Sequence, residues 1–134
     1  MKITGLNHIT INVVDLETSV IFYKTVLGLQ QSGFINMGDH TLTYFDLPQN
    51  VRLELIDYMQ KDPQKEHRET DIGTYRHFCL ETDDLVELEH ICKESGVLIR
   101  KSPSYVEKLS CSTMLVLDPN GVEIEIIKKV GDEL

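Results

Sequence analysis

Features that mark several common classes of protein are scarce in this sequence. It has only three cysteines, Cys79, Cys92 and Cys111, and no two of them form a CxxC pair. An odd number of cysteines at this spacing fits a reducing compartment. A chain of 134 residues is also long enough to fold without disulfides or a structural metal. Cys79 and Cys111 stand in strand-like runs, which predicts that both are small core side chains.

Basic residues and long apolar runs are also in short supply. Thirteen lysines and arginines stand against 22 aspartates and glutamates, which makes the formal net charge −9. This charge argues against nucleic acid or an anionic membrane surface as a partner. No run approaches about 18 apolar residues, and no basic start followed by an apolar stretch marks a targeting segment. We therefore expect a globular protein of the cytoplasm that acts on a small molecule.

What the chain does contain is a strand-helix pattern that occurs twice. Residues 3–14 alternate as a strand does, Asp15 is placed to cap a helix that closes at Gly28, and three further strands are predicted. The same order returns after a polar segment, with the turn DPNG before the last strand. The prediction is an α+β fold and one domain over 1–134, with module one at about 1–58, a linker at about 59–73 and module two at about 74–130.

The two series carry equivalent residues. His77 follows His8 by 69 positions, and Asp84-Leu85 follows Asp15-Leu16 by the same distance. At the other end, VEIEII aligns with VRLELI and places Glu125 on Glu54, 71 positions apart. Each half thus has a histidine on its first strand and a glutamate on its last.

Strand alternation places these four side chains on the polar faces of the predicted sheets. Polar residues line the solvent side of any two-faced sheet, and Arg52, Glu81 and Glu123 share those faces without an assigned function. The equivalence of all four positions carries the hypothesis. Two imidazoles and two carboxylates suit a divalent ion such as Zn²⁺, Ni²⁺ or Co²⁺, with Fe²⁺ or Mn²⁺ as further candidates. The candidate metal ligands are His8, Glu54, His77 and Glu125.

The sequence resembles the vicinal oxygen chelate superfamily, also called the glyoxalase/bleomycin-resistance/dioxygenase superfamily. The stretches that carry the resemblance are NHITINVVDLETSVIFYKTVLGL, LELIDY, YRHFCLETDDL and DPNGVEIEII. The resemblance implies two tandem βαβββ modules that form a cupped mixed sheet around a divalent metal, with helices on the outer face. The family's four ligand positions fall on His8, Glu54, His77 and Glu125, a set that looks most like lactoylglutathione lyase.

Related branches differ at these positions. Extradiol dioxygenases and fosfomycin-modifying enzymes typically use His/His/Glu, and methylmalonyl-CoA epimerases tend to have glutamine at the second position, so Glu54 favours the glyoxalase-like branch. Bacterial glyoxalase I typically has an arginine four residues after the first histidine, where this chain has Asn12. Four residues after the second ligand, Tyr58 stands where the family often has asparagine. The thiol cofactor is therefore left open.

The chemistry predicted is metal-assisted proton transfer next to a carbonyl, on a substrate such as a thiol adduct of a 2-oxoaldehyde. Glu54 or Glu125 would be the general base. The alternatives are an epimerase or an iron-dependent dioxygenase on the same site, and a non-catalytic ligand-binding or resistance protein. A homodimer is expected because paired modules often hide their sheet edges against another chain. The metal site could lie within one chain or between two subunits.

Overall fold

The computed structural model describes residues 1–129 as two units, each built around one four-stranded sheet. The first unit is Met1–Gln64 and the second begins at Lys65. The end predicted for module two, residue 130, lies outside the described residues. No helix within residues 1–129 is both long enough and apolar enough to cross a membrane.

The elements follow the predicted order in both units. In the first unit they are β1 His8–Asn12, α1 Leu16–Ile21, β2 Gln30–Asn36, β3 His40–Leu47 and β4 Val51–Tyr58. In the second they are β5 His77–Glu81, α2 Leu85–Glu94, β6 Leu98–Val106, β7 Cys111–Leu117 and β8 Glu123–Lys129. The predicted α+β fold with two βαβββ modules is confirmed.

Both sheets have one topology. Their strand orders are β1-β4-β3-β2 and β5-β8-β7-β6, so the first and last strands of each module are neighbours. Those two strands run parallel, and the remaining neighbours are antiparallel. This topology brings the histidine-bearing strand of each module next to its glutamate-bearing strand.

Local signals set the helix boundaries. Asp15 accepts a hydrogen bond from the Thr18 backbone N–H at 3.0 Å, which confirms the predicted cap, and Asp84 accepts one from Glu87 at 3.0 Å. The first helix is not a regular α-helix up to Gly28, because α1 continues into a π-helical turn at Phe22–Val26. Gly28 itself has φ +68°, the left-handed conformation that glycine adopts without strain.

Each sheet buries its apolar face. In the first unit Leu53 and Leu55 are almost fully buried, and the Tyr23 ring from the helical segment lies 6.2 Å from the Phe45 ring on β3. In the second unit Ile124 and Ile126 are equally buried. Since side chains alternate along a strand, Glu54 and Glu125 lie on the opposite faces from these leucines and isoleucines.

Candidate metal-binding side chains

His8 and Glu54 lie on one face of the first sheet. In the parallel pairing of β1 with β4, His8 is opposite Arg52 and Thr10 is opposite Glu54. Because paired residues point to the same side of a sheet, all four side chains are on the polar face. The His8 Nε2 atom is 3.8 Å from Glu54 Oε1. That distance is close to the separation of about 3.4 Å between two ligands of a tetrahedral ion with bonds of about 2.1 Å.

The Glu54 carboxylate is buried and held in place by two donors. Thr10 Oγ1 donates to Oε1 at 2.9 Å, and the Tyr44 hydroxyl from β3 donates to Oε2. Burial alone would raise the pKa of Glu54, but the hydrogen bonds from Tyr44 and Thr10 outweigh it and lower that pKa. Glu54 therefore stays ionised well below neutral pH. The same hydrogen bond to Glu54, reinforced by burial, raises the pKa of Tyr44.

Arg52 and Asn7 support this pair from either side. The Arg52 guanidinium carbon stands 3.9 Å from the centre of the Tyr44 ring, a cation-π contact that holds the phenol beside Glu54. On β1, His8 Nδ1 is 2.7 Å from Asn7 Oδ1. With the Nδ1 proton donated to Asn7, the neutral ring of His8 keeps its electron pair on Nε2, the atom that faces Glu54.

In the second unit His77 and Glu125 also share a polar face. In the pairing of β5 with β8, His77 is opposite Glu123 and Cys79 is opposite Glu125. The prediction that Cys79 is a core residue is wrong, because its side chain is exposed. Cys79 has the same strand parity as His77, so alternation directs it to the polar face. Although the residue is exposed as a whole, partial desolvation of its thiol, with a smaller effect from Glu125, raises the pKa of Cys79 to about 12.

Glu123 is a functional candidate that the sequence reasoning left without a role. Its side chain is only 5% exposed, and its Oε1 atom is 3.1 Å from His77 Nδ1. Arg76 and Arg100 also donate to this carboxylate. The parity of β8 already indicated that Glu123 faces the same side as His77. The missing information was the register of β5 on β8, which makes the two residues neighbours.

The predicted ligands occur as two pairs, one in each unit. Within residues 1–129 the structure contains no group of three or more His, Cys, Asp or Glu side chains arranged to hold a metal ion. The donor chemistry of each unit nonetheless fits a divalent cation. The first offers an ionised carboxylate facing an imidazole nitrogen, and the second offers an imidazole whose Nδ1 atom is engaged by a carboxylate.

The comparison with family models gives one match over most of the chain. Residues 5–126 match the model described as the Glyoxalase/Bleomycin resistance protein/Dioxygenase superfamily. A human mitochondrial methylmalonyl-CoA epimerase is 31% identical over 84 residues, which cover 60% of this chain and 47% of the epimerase. The match thus spans about half the length of that relative. A lactoylglutathione lyase of Neisseria meningitidis serogroup A is 28% identical over an alignment of 143 positions, which covers 96% of this chain and 94% of the lyase.

A solved structure supports the same fold. The trypanothione-dependent glyoxalase I of Leishmania major superposes with a TM-score of 0.73 at 24% sequence identity. The superposition covers 94% of this chain and 87% of that protein. At this level of identity the likeness concerns the fold alone.

Proposed function

The chain belongs to the glyoxalase/bleomycin resistance protein/dioxygenase superfamily, and from this premise we propose that it is a metal-dependent lyase or isomerase of the glyoxalase I type. Members of this superfamily are mostly metalloenzymes that act on small molecules. The proposed reaction moves a proton between two neighbouring carbons of a small carbonyl compound, such as the hemithioacetal formed by a thiol and a 2-oxoaldehyde.

The proposed metal ligands are His8, Glu54, His77 and Glu125. The observation that carries the proposal is the first pair, in which the ionised, buried Glu54 faces the Nε2 atom of His8 at 3.8 Å. The hydrogen bonds from Tyr44 and Thr10 keep this carboxylate ionised and fixed in place, so Glu54 and the imidazole nitrogen of His8 form a donor pair that a divalent cation could use. When bound, such an ion would polarise the substrate carbonyl as a Lewis acid and so make the adjacent C–H bond more acidic.

The surroundings of the two glutamates suggest different roles. Glu54 receives a hydroxyl hydrogen bond from both Tyr44 and Thr10, and these bonds lower its pKa, so it is a poor proton acceptor. Glu125 is half-buried, and its partner in the pairing of β5 with β8 is Cys79, whose thiol is only a weak donor. We therefore assign Glu54 as a fixed ligand and Glu125 as the general base that takes the substrate proton and returns it to the neighbouring carbon.

Two isosteric variants test these roles. The purified protein is first analysed for bound metal, reloaded with Ni²⁺, Zn²⁺ or Co²⁺, and assayed with methylglyoxal and a panel of low-molecular-weight thiols. Glu125→Gln keeps the other three proposed ligands, so it is expected to lose less metal than Glu54→Gln while losing about 10²- to 10⁴-fold in kcat, as removal of a general base does. Glu54→Gln is expected to bind less metal than the wild type, and its activity should fall in proportion to the metal lost. Equal metal loss in both variants, with no separate effect on kcat, would contradict the assignment.

An epimerase is the second candidate, and the similarity to the human methylmalonyl-CoA epimerase favours it. Epimerisation also removes a proton next to a carbonyl, so the same ligands and base would serve. Two assays distinguish these reactions. In D₂O an epimerase incorporates deuterium at the α-carbon of a methylmalonyl thioester, whereas a lyase converts a hemithioacetal to its product. A metal-loaded protein active only on the thioester would replace the first proposal with the second.

We also propose a cytoplasmic homodimer. In the first sheet β2 is an edge strand, and its neighbourhood exposes Phe34, Ile35 and Met37. An apolar edge of this kind is suited to pairing with a second copy. Light scattering of the purified chain should give about twice the monomer mass, and a monomer at micromolar concentration would count against the dimer.

A further inference from the structure

Glu123 is a buried carboxylate to which three side chains converge. It is the first residue of β8, and its side chain is only 5% exposed. Arg76 Nη2 donates to Oε1 at 2.9 Å, Arg100 Nη1 donates to Oε2, and His77 Nδ1 approaches Oε1 at 3.1 Å. A carboxylate removed from water in this way needs its lone pairs occupied, and these three donors occupy them.

The register of the sheet holds Glu123 against the histidine ring. His77 and Glu123 are direct partners in the parallel pairing of β5 with β8, so the contact is fixed by backbone geometry rather than by flexible loops. The first unit has Arg52 at the corresponding place opposite His8, and there Asn7 contacts Nδ1 instead. The Nδ1 atom of the histidine thus contacts a different residue in each unit, Asn7 in the first and Glu123 in the second.

The two arginines keep Glu123 an acceptor. Each oxygen of this carboxylate accepts a hydrogen bond from a guanidinium group, Oε1 from Arg76 and Oε2 from Arg100, so both oxygens act as acceptors. An ionised carboxylate can only accept hydrogen bonds, so its contact with His77 requires the proton to be on Nδ1. The electron pair of the neutral ring is then on Nε2.

We propose that Glu123 is a positioning residue for His77: it fixes the Nδ1–H tautomer and the ring orientation, and so presents Nε2 as a metal donor. The tautomer is a property of the metal-free chain, whereas the consequence for metal binding rests on the proposed function. A carboxylate behind a ligating imidazole commonly strengthens metal binding by about 10- to 100-fold.

The test uses the full chain with Glu123→Gln. In the metal-free protein, long-range ¹H–¹⁵N NMR of the imidazoles reports which ring nitrogen of His77 carries the proton. We expect the wild type to show the Nδ1–H form and the variant to lose it as the dominant species. Competition titration with Co²⁺ should then give a Kd about 10- to 100-fold higher in the variant.

Two control variants separate positioning from charge and from folding. Glu81→Gln removes one negative charge from β5, the strand of His77. Glu81 pairs with Lys129 and not with the His77 ring. The tautomer of His77 should therefore be unchanged, and the Kd for Co²⁺ should stay within about twofold of the wild-type value. If Glu123→Gln alone fails to fold because it leaves Arg76 and Arg100 without their shared carboxylate, the double variant with Arg100→Gln removes one charge of each sign and carries the same readouts.

The outcomes are distinct. An unchanged His77 tautomer in a folded Glu123 variant overturns the proposal, as does an equal loss of Co²⁺ affinity in Glu81→Gln. A changed tautomer with unchanged Co²⁺ affinity also overturns it, since His77 would then not be presented as a ligand. If the wild type binds no Ni²⁺, Zn²⁺ or Co²⁺, the proposed function fails, while the NMR comparison still decides whether Glu123 sets the tautomer.

Discussion

The Tyr44 hydroxyl offers a sharp test of the Glu54 site, because Tyr44→Phe removes one oxygen and leaves the ring beneath Arg52. The Tyr44 hydroxyl donates to the carboxylate of Glu54, a residue that is only 7% exposed. A hydrogen bond to a charged group contributes about 1.5–3 kcal/mol to stability. We therefore expect the free energy of unfolding to fall by about 2 kcal/mol at pH 7. With about 2.1 cal/mol/K of unfolding entropy per residue, this lowers Tm by about 7 °C.

The penalty should depend on pH in a defined direction. The pKa of Glu54 is lowered in the folded protein, so its ionised form adds stability above the pKa of an unfolded glutamate, about 4.3. That stability is lost as the pH falls through the folded-state pKa. Since the Tyr44 hydrogen bond is a main cause of the lowering, the difference between wild type and variant should be largest above about pH 5 and shrink below about pH 4.

Urea denaturation of the metal-free proteins at pH 7 and at about pH 3 measures both effects. Tyr105→Phe is the matched control, because Tyr105 is 56% exposed, and its cost should be below about 0.5 kcal/mol. A double-mutant cycle with Glu54→Gln isolates the pair and should give a coupling of at least about 1 kcal/mol. A Tyr44 variant as stable as the Tyr105 control, or additive effects in the cycle, would refute the reasoning.

Two further predictions concern the core and the exposed thiol. Leu55→Ala should lower the free energy of unfolding by about 2–5 kcal/mol because Leu55 is fully buried, whereas Leu98→Ala, at a position 59% exposed, should cost less than about 1 kcal/mol in the same denaturation assay. In the metal-free protein Cys79 should react with iodoacetamide at pH 8 about a thousandfold more slowly than a free thiol, since its pKa is raised to about 12. Peptide mass spectrometry follows the modification. Glu125→Gln should speed it, and a rate like that of a free thiol would show that desolvation and Glu125 do not raise the pKa of Cys79.

Interactions between residues close in sequence made much of the fold predictable. The Asp15 cap depends on a side chain three residues from its donor. The DPNG turn is closed by Gly121 N–H donating to the Asp118 carbonyl at 3.0 Å. Strand alternation separates Leu53 from Glu54 without reference to any other strand. The repeat of these signals predicted two βαβββ modules, and the strand pairing confirms them.

Contacts between side chains on different strands could not be predicted from neighbouring residues in the sequence. Tyr44 meets Glu54 because β3 pairs with β4 in one register, and a shift of one residue would send the phenol to the other face. Glu123 meets His77 for the same reason, across 46 positions of sequence. The amino-acid sequence by itself determined which residues could offer metal donors and on which face of a strand they stand. Only the tertiary structure decided which groups hold those donors, because register depends on the packing of whole sheets rather than on neighbouring residues.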